Sequence, residues 1–396
     1  MKLDARSLDE VNCQGKRVLV RVDFNCPQEE SGAISDDTRI RAALPTIREV
    51  LAKGGKPVLM SHLGRPKGKV VEGLRLTPMG KRLGELLGVP VVKLEDCVGP
   101  AVVEAIAKAP AGAVVLLENV RFHKGDEAGD PAFAKELAKN GNVFVNDAFG
   151  AAHRDHASVC GVARELPSAA GRLMEKEIAA FSKVLDAPAR PLVAILGGAK
   201  VSDKLKVVDN LLEKVDALLV GGGMAYTFLA AQGKKVGKSL VQQDQLENVK
   251  AAMARAKAKG IDILLPVDHV CAESFAEDAQ AVAVEGADIP DGLMGLDIGP
   301  KTRAMYAARI AGAKTVVWNG PMGVFEWKAF RAGTETVGKA VAEGAGYTVI
   351  GGGDSVAAIE MLGLASKIKH ISTGGGASLE LLEGTLLPGI AVLARD

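Results

Sequence analysis

The sequence predicts an α/β protein of two similar-sized domains, each a mostly parallel sheet with helices on both faces, joined by an interdomain helix with a hinge. Three observations predict it. Short apolar runs rich in β-branched residues alternate with amphipathic stretches along the whole chain, and strands buried on both faces, each followed by a helix, belong to parallel sheets with crossover helices. A length of 396 residues is too great for one compact core and suits two domains of common size. Residues 173–185 (LMEKEIAAFSKVL), closed by Pro188 and Pro191, read as a helix joining the halves.

Taken in order, the first-half strands are RVLVRV (17–22), PVLMS (57–61), PVVKL (90–94), AVVLL (113–117) and VFVN (143–146). Between them lie helical segments at 39–53, after Gly99, and at 131–140. In the second half the strands are PLVAIL (191–196), ALLV (217–220), ILLP (263–266), TVVW (315–318), YTVI (347–350) and HIS (370–372). Helices are expected at 202–213, 331–343, 354–362 and 378–383. The domains therefore run over about 1–172 and 188–384, with 173–187 as helix and hinge.

Composition narrows the function by exclusion. The net charge is +1, so the whole molecule is no polycation seeking nucleic acid or an anionic membrane. Aromatic residues make up only 4%, which leaves few platforms for stacking bases. Five cysteines (Cys13, Cys26, Cys97, Cys160, Cys271) are scattered without a CxxC pair, which favours reduced thiols in a cytoplasm over a disulfide framework. The opening MKLDARSLDE has no apolar signal region, and no uncharged run approaches the ~18 residues a spanning helix needs. Nothing in the chain requires an oligomer, and a monomer acting on small molecules, not on nucleic acid or membrane, is expected.

The two halves differ at the C-terminal ends of their strands, where open α/β sheets bind ligands. First-half ends carry charge: Arg21, Asp23 and Asn25 in RVDFN; His62, Arg65 and Lys67 in SHLGRPKG; Arg121, His123 and Lys124 in ENVRFHKGD; His153, Arg154 and His156 in AAHRDH. Second-half ends carry glycine: GGAK at 197–200, GGG at 221–223, NGP at 319–321, GGGDS at 351–355 and GGG at 374–376. Arginine forks match carboxylate and phosphate oxygens. Arg21, Arg65, Arg121 and Arg154 on one rim, with Arg39 at a helix start, would hold a small, multiply charged anion whose hydroxyls face Asp23 and Asn25.

Glycines just before a helix let backbone N–H groups approach phosphate where the helix dipole also favours negative charge. Lys200 and Lys204, four residues apart on one helix face, would share that anion. Asp354 fits two roles equally, helix N-cap and Mg²⁺ ligand. Several other motifs fail on spacing: GKKVGKS (233–239) has three residues between its glycines where a phosphate loop has four, and no GxGxxG follows the first strand. HRD at 153–155 lacks the asparagine of a protein-kinase catalytic loop. His153, His156 and Cys160 have helical spacing for zinc but no fourth partner, and Cys26 reads as a small buried filler. The residues alone thus describe a phosphotransferase with a nucleotide site and a small-anion site on separate domains. A kinase for another acyl or sugar-phosphate acceptor and an RNA-binding rim are the rival readings.

RVLVRVDFNCP, SHLGRPKG, ENVRFHKGDE, FGAAHRDHAS, LGGAKVSDK, VGGGMAYTFL, WNGPMGVFE, VIGGGDS and STGGGASLE occur in this order across nearly the whole chain. Together they closely resemble the phosphoglycerate kinase family. The resemblance implies reversible phosphoryl transfer between 1,3-bisphosphoglycerate with MgADP and 3-phosphoglycerate with MgATP in glycolysis. It implies that Asp23, Phe24, Asn25, Arg39, His62, Leu63, Gly64, Arg65, Arg121 and Arg154 hold the phosphoglycerate in the first domain. By the same resemblance Lys200, Lys204, Asn319, Gly352, Gly353, Asp354 and Ser355 hold the nucleotide in the second, with Asp354 on the Mg²⁺. Glu326 would take the ribose hydroxyls, and Gly222, Gly223 and Gly295 would flank the adenine. Arg39, Lys204 and the amides of Gly375 and Gly376 would stabilise the moving phosphoryl group. The tail, about 385–396, would pack back on the first domain. Cys26 stands where an aliphatic residue is commoner in the family, making its thiol a candidate labelling site beside the substrate.

Overall fold

The computed structural model describes residues 4–394. They form two compact units, one of residues 4–179 with 386–394, the other Ala180–Thr385. The first unit holds β1 (Arg17–Arg21), β2 (Lys56–Met60), β3 (Val91–Lys93), β4 (Val114–Leu116), β5 (Val143–Asn146) and β6 (Ser168–Ala170). They make one sheet in the order β3-β4-β2-β1-β5-β6, parallel at every pairing. The second unit holds β7 (Leu192–Leu196), β8 (Ala217–Val220), β9 (Asp262–Leu264), β10 (His269–Ala272), β11 (Val282–Val284), β12 (Met294–Ile298), β13 (Thr315–Asn319), β14 (Tyr347–Ile350) and β15 (His370–Ile371). Six of these form a second all-parallel sheet, β15-β14-β13-β7-β8-β9.

Each sheet grows outward from its first strand in both directions. Right-handed crossovers then place helices on both faces, and the reversal leaves a crevice at the C-terminal strand ends, between β1 and β5 in one unit and between β7 and β13 in the other. The strands are apolar because both faces are covered: Val18, Leu19 and Val20 of β1 are fully buried, as are Leu192 to Ile195 of β7. Helix Thr38–Ala52 turns Ile40, Ala43, Leu44, Ile47 and Val50 onto β1 and β2, the spacing of one helical stripe.

The segment 386–394 returns to the first unit. Leu393 carbonyl accepts from Arg6 N–H at 2.7 Å and Gly389 N–H donates to Ala152 carbonyl at 2.8 Å. Asp147 caps helix Arg172–Leu185, its Oδ1 accepting from Leu173 N–H at 2.9 Å.

Several elements differ from expectation, each for a local reason. The antiparallel sheet β11-β10-β12 was not anticipated, since MGLDI of β12 puts a glycine and an acid among its apolar residues. Helix Met224–Ala231 has nearly all its side chains buried and so shows no amphipathic stripe. Helix Thr77–Leu87 hides behind Gly80 and Gly84, which let it lie close on β3 and β4. Helices Leu246–Ala258 and Pro300–Ala311 were also missed, as was β6, three small residues long. The helix expected at 202–213 is only Leu205–Leu211.

Candidate functional site

In the first unit the four adjacent strands β4, β2, β1 and β5 deliver the charged segments to one edge. After β1, Asp23 accepts from Asn25 N–H at 3.1 Å and pairs with Arg39, which enters from the first turn of its helix. Burial opposes ionisation of Asp23, yet His62, Arg39 and Arg21 around it together hold its carboxyl below the ordinary range. Asn25 Oδ1 accepts from Gly64 N–H at 2.9 Å, tying the β1 loop to the β2 loop. Arg121 Nη1 donates to Gly64 carbonyl at 3.0 Å, adding the β4 segment. Asn119, fully buried, donates to Leu63 and Leu74 carbonyls at 2.8 and 2.9 Å and so fixes the turn that carries Arg121.

The predicted residues divide by what they present. Phe24 and Leu63 turn their side chains into the core, and Phe24 N–H is spent on Ser61 Oγ at 2.9 Å. Arg65 and Arg154 are exposed and hold no protein partner among the described residues. Two free guanidiniums beside Arg121 and Arg39 form a cationic cup.

Arg21 corrects the sequence reading. It is fully buried, donating from Nε to Ser158 Oγ at 3.0 Å and from Nη1 to Val22 carbonyl at 2.5 Å. Its remaining arm meets His62 Nδ1 at 3.1 Å. It lies beneath the cup and is no ligand fork. Cys26 is 3% exposed and burial pushes its thiol up to about 12, which removes it as a labelling site. Among the described residues, the His, Cys and acid side chains close enough to share a metal are Asp96, Cys97 and His123, not His153, His156 and Cys160. Asp96 Oδ1 there already accepts from Cys97 N–H at 2.7 Å and contacts His123 Nε2 at 2.7 Å.

In the second unit the ends of β7, β13 and β14 surround a cavity of about 310 Å³ lined by Gly197, Lys200, Lys204, Asn319, Gly352, Gly353, Asp354 and Ser355, among others. The backbone here packs too tightly for side chains: a Cβ on Gly197 would lie 2.0 Å from Pro321 carbonyl O. Lys204 donates to Asn319 Oδ1 across the β7–β13 crevice. Burial lowers its ammonium pKa to about 8. Ser355 Oγ accepts from Gly320 N–H at 2.6 Å.

Two sequence readings change here. Lys204 is the N-cap of helix Leu205–Leu211, so Lys200 sits in the loop before it, not one turn along the same helix face. The N-cap of helix Gly353–Met361 is Gly352, at φ +94°, a conformation that side chains resist. Asp354 therefore stands inside the first turn with its carboxylate exposed and near enough to Lys204 to favour that ammonium's charge, and the N-cap role falls away. Gly374 is the N-cap of helix Gly375–Leu382, which places Gly375 and Gly376 at its exposed start.

A second cavity of about 530 Å³ adjoins the first through Gly198, Ala199 and Asp354. Gly222, Gly223, Gly295 and Glu326 line it. So do Tyr226, Lys238, Leu240, Phe275, Met294 and Val324, which sequence reasoning did not name. Phe275 is 65% exposed and lies tilted against Trp327, the ring centroids 4.6 Å apart. Its only signal in sequence is an aromatic in a polar loop. Together the two cavities join an apolar slot, edged by Lys238 and Glu326, to a ring of glycine backbone with Lys200, Asp203, Lys204 and Asp354.

Residues 8–385 match the family model described as phosphoglycerate kinase. The chain belongs to the phosphoglycerate kinase family. A curated phosphoglycerate kinase of Moorella thermoacetica is 58% identical over 391 residues, 98% of this chain and 99% of its own. One of Gloeothece citriformis is 56% identical over 98% of each chain. Of solved structures, phosphoglycerate kinase from Coxiella burnetii superposes with a TM-score of 0.91 at 40% identity, and that from Pyrococcus horikoshii OT3 with 0.82 at 36%, each covering 98% of both chains. Two parallel six-stranded sheets in separate units are thus the architecture of this phosphoglycerate kinase family member.

Proposed function

We propose that this chain moves a phosphoryl group reversibly between 1,3-bisphosphoglycerate with ADP and 3-phosphoglycerate with ATP, the glycolytic step its family name implies. The observation that carries the reading is the division of strand ends: free arginines over buried supports in one unit, bare amides around an apolar slot in the other.

The first domain, with the tail after 385, takes the phosphoglycerate. Arg65, Arg121 and Arg154 bind its phosphate and carboxylate oxygens, while Asp23 and Asn25 orient its hydroxyl and His62 donates a hydrogen bond. The second domain takes the nucleotide. Its base enters the slot beside Gly222, Gly223 and Gly295, Glu326 takes the ribose hydroxyls, and its phosphates meet Lys200, Lys204, Asn319 and the amides of 352–355. Mg²⁺ fits beside Asp354, whose exposed carboxylate lines both cavities. Bound with the nucleotide, Mg²⁺ would neutralise phosphate oxygens.

No general base is needed. The acceptor is a carboxylate, already ionised at neutral pH, and His62 sits against a guanidinium where it can take no proton. Rate must come from alignment and charge neutralisation. Arg39 from one unit, with Lys204 and the amides of Gly375 and Gly376 from the other, provides the charge. Because the two anions bind separate units, a hinge about 173–187 must close to bring them in line and expel water. Each site is complete within one chain, which supports a monomer. Five free, buried cysteines suit a reducing cytoplasm, and among the described residues no helix is long and apolar enough to cross a membrane.

The test is ATP turnover in a coupled assay with 3-phosphoglycerate and a panel of other carboxylate and sugar-phosphate acceptors. Turnover with 3-phosphoglycerate alone is expected. Preference for a different acceptor would replace this reading by the rival kinase.

A further inference from the structure

His62 is 6% exposed, and the group against its Nδ1 is Arg21 Nη2, 3.1 Å away and itself fully buried. A guanidinium has donors and no acceptor, so Arg21 gives this hydrogen bond and Nδ1 receives it. A receiving Nδ1 carries no proton, and a neutral ring then keeps its one proton on Nε2.

Arg21 has no freedom to turn away. Its Nε is held by Ser158 Oγ at 3.0 Å and its Nη1 by Val22 carbonyl at 2.5 Å. Ser158 is held in turn, its N–H donating to Oδ1 of the fully buried Asp126 at 3.0 Å. The end of β1, the loop after β2 and the segment after β5 are thereby locked to one another under the cationic cup.

We propose that Arg21 is a positioning residue that fixes His62 as the Nε2–H tautomer, so that the ring offers the small anion one donor and no lone pair. The inference rests on the reading of His62 as a substrate contact. The other tautomer would turn a lone pair toward an anionic oxygen and an N–H toward a guanidinium, both repulsive.

The surroundings agree. His62 is faced by Arg21, Asp23, Arg121 and Arg39, and burial first, then Arg21, holds its pKa well below the ordinary histidine value. Arg21 is faced by Asp126, Asp23 and Arg121, and His156 stands 4.0 Å from Asp126. The site thus obtains a donor that needs no charge and keeps its state across neutral pH.

The experiment is nitrogen-15 NMR of the histidine side chains in the full chain, with His62 assigned by its loss in His62→Asn. In the unmodified protein Nδ1 should be bare and Nε2 protonated from pH 6 to 8. In Arg21→Met the ring should populate the Nδ1–H form or begin to titrate. The KM for 3-phosphoglycerate should rise about tenfold or more while the nucleotide KM stays within about twofold. Ser158→Ala should move the ring signals less, in the same direction. A protonated Nδ1 in the unmodified protein overturns the proposal even if Arg21→Met fails to fold, and so does a folded Arg21→Met with an unchanged tautomer. Saturating 3-phosphoglycerate that leaves the Nε2 signal unmoved would instead overturn the substrate contact and leave the Arg21 assignment standing.

Discussion

Lys204 bonds Asn319 across the crevice between β7 and β13, so one ammonium stitches the two strand ends that flank the smaller, glycine-lined cavity. Burial has lowered that ammonium to about 8, the one strongly perturbed lysine of the site. Its charge is present below that pH and lost as pH rises through it. In the free enzyme, the KM for ADP should therefore climb above about pH 8. Lys204→Arg, which does not deprotonate, should flatten that alkaline limb. A limb that persists in Lys204→Arg assigns it to another group.

Glycines 352 and 353 should respond oppositely to alanine. Gly352 lies at φ +94° with Asn319 Nδ2 3.0 Å from where a Cβ would sit, so Gly352→Ala should destabilise the second unit by about 1–3 kcal/mol. Gly353 begins a helix with nothing within 4 Å of its Cβ position. Gly353→Ala should leave thermal stability intact or raise it by up to about 1 kcal/mol, yet raise the nucleotide KM by obstructing phosphate at the helix start. Calorimetry together with initial-rate kinetics separates the two effects.

Arg39 pairs with Asp23 and keeps its side chain 37% exposed. Arg39→Ala should lower kcat by roughly 10²–10³ with a smaller change in KM, as for loss of one preorganised charge donor. A raised KM with unchanged kcat would demote it to a binding residue.

Asp147 is buried, and burial pushes its carboxyl up to about 7 although the amides of Leu173 and Met174 favour its ionised form. A folded pKa above the unfolded one near 3.8 means that the proton stabilises the fold. That contribution is complete below the unfolded value and is lost as pH rises through about 7. Between pH 6 and 8 the first unit should lose about 1 kcal/mol from this group. Asp147→Asn keeps an acceptor for the capping amides and should shed that slope. Urea titrations of both proteins at the two pH values give the comparison, since Asp297, raised likewise to about 7 in the second unit, is common to both.

Scattering offers a check on closure. The radius of gyration should fall when 3-phosphoglycerate and nucleotide are both bound, and by less with either alone. No change with the pair bound would count against a hinge.

The sequence by itself determined that the sheets are parallel, all of their strands but β6, and the contrast between charged and glycine-bearing strand ends. These are local properties: β-branched runs, helical stripes and turn residues act through neighbours in the chain. What became of each charge at those ends was decided only in three dimensions. Arg21 and Arg65 look alike in sequence, both basic and both beside a strand end. One is sealed under the cup by Ser158, from 137 residues away, and the other stands in solvent. The same holds for Lys200 and Lys204, parted by where a short helix begins, and for Phe275 and β12, which form the slot through an antiparallel sheet that no local pattern announces. Burial and partnership are sums over distant segments, so only the packed chain assigns them.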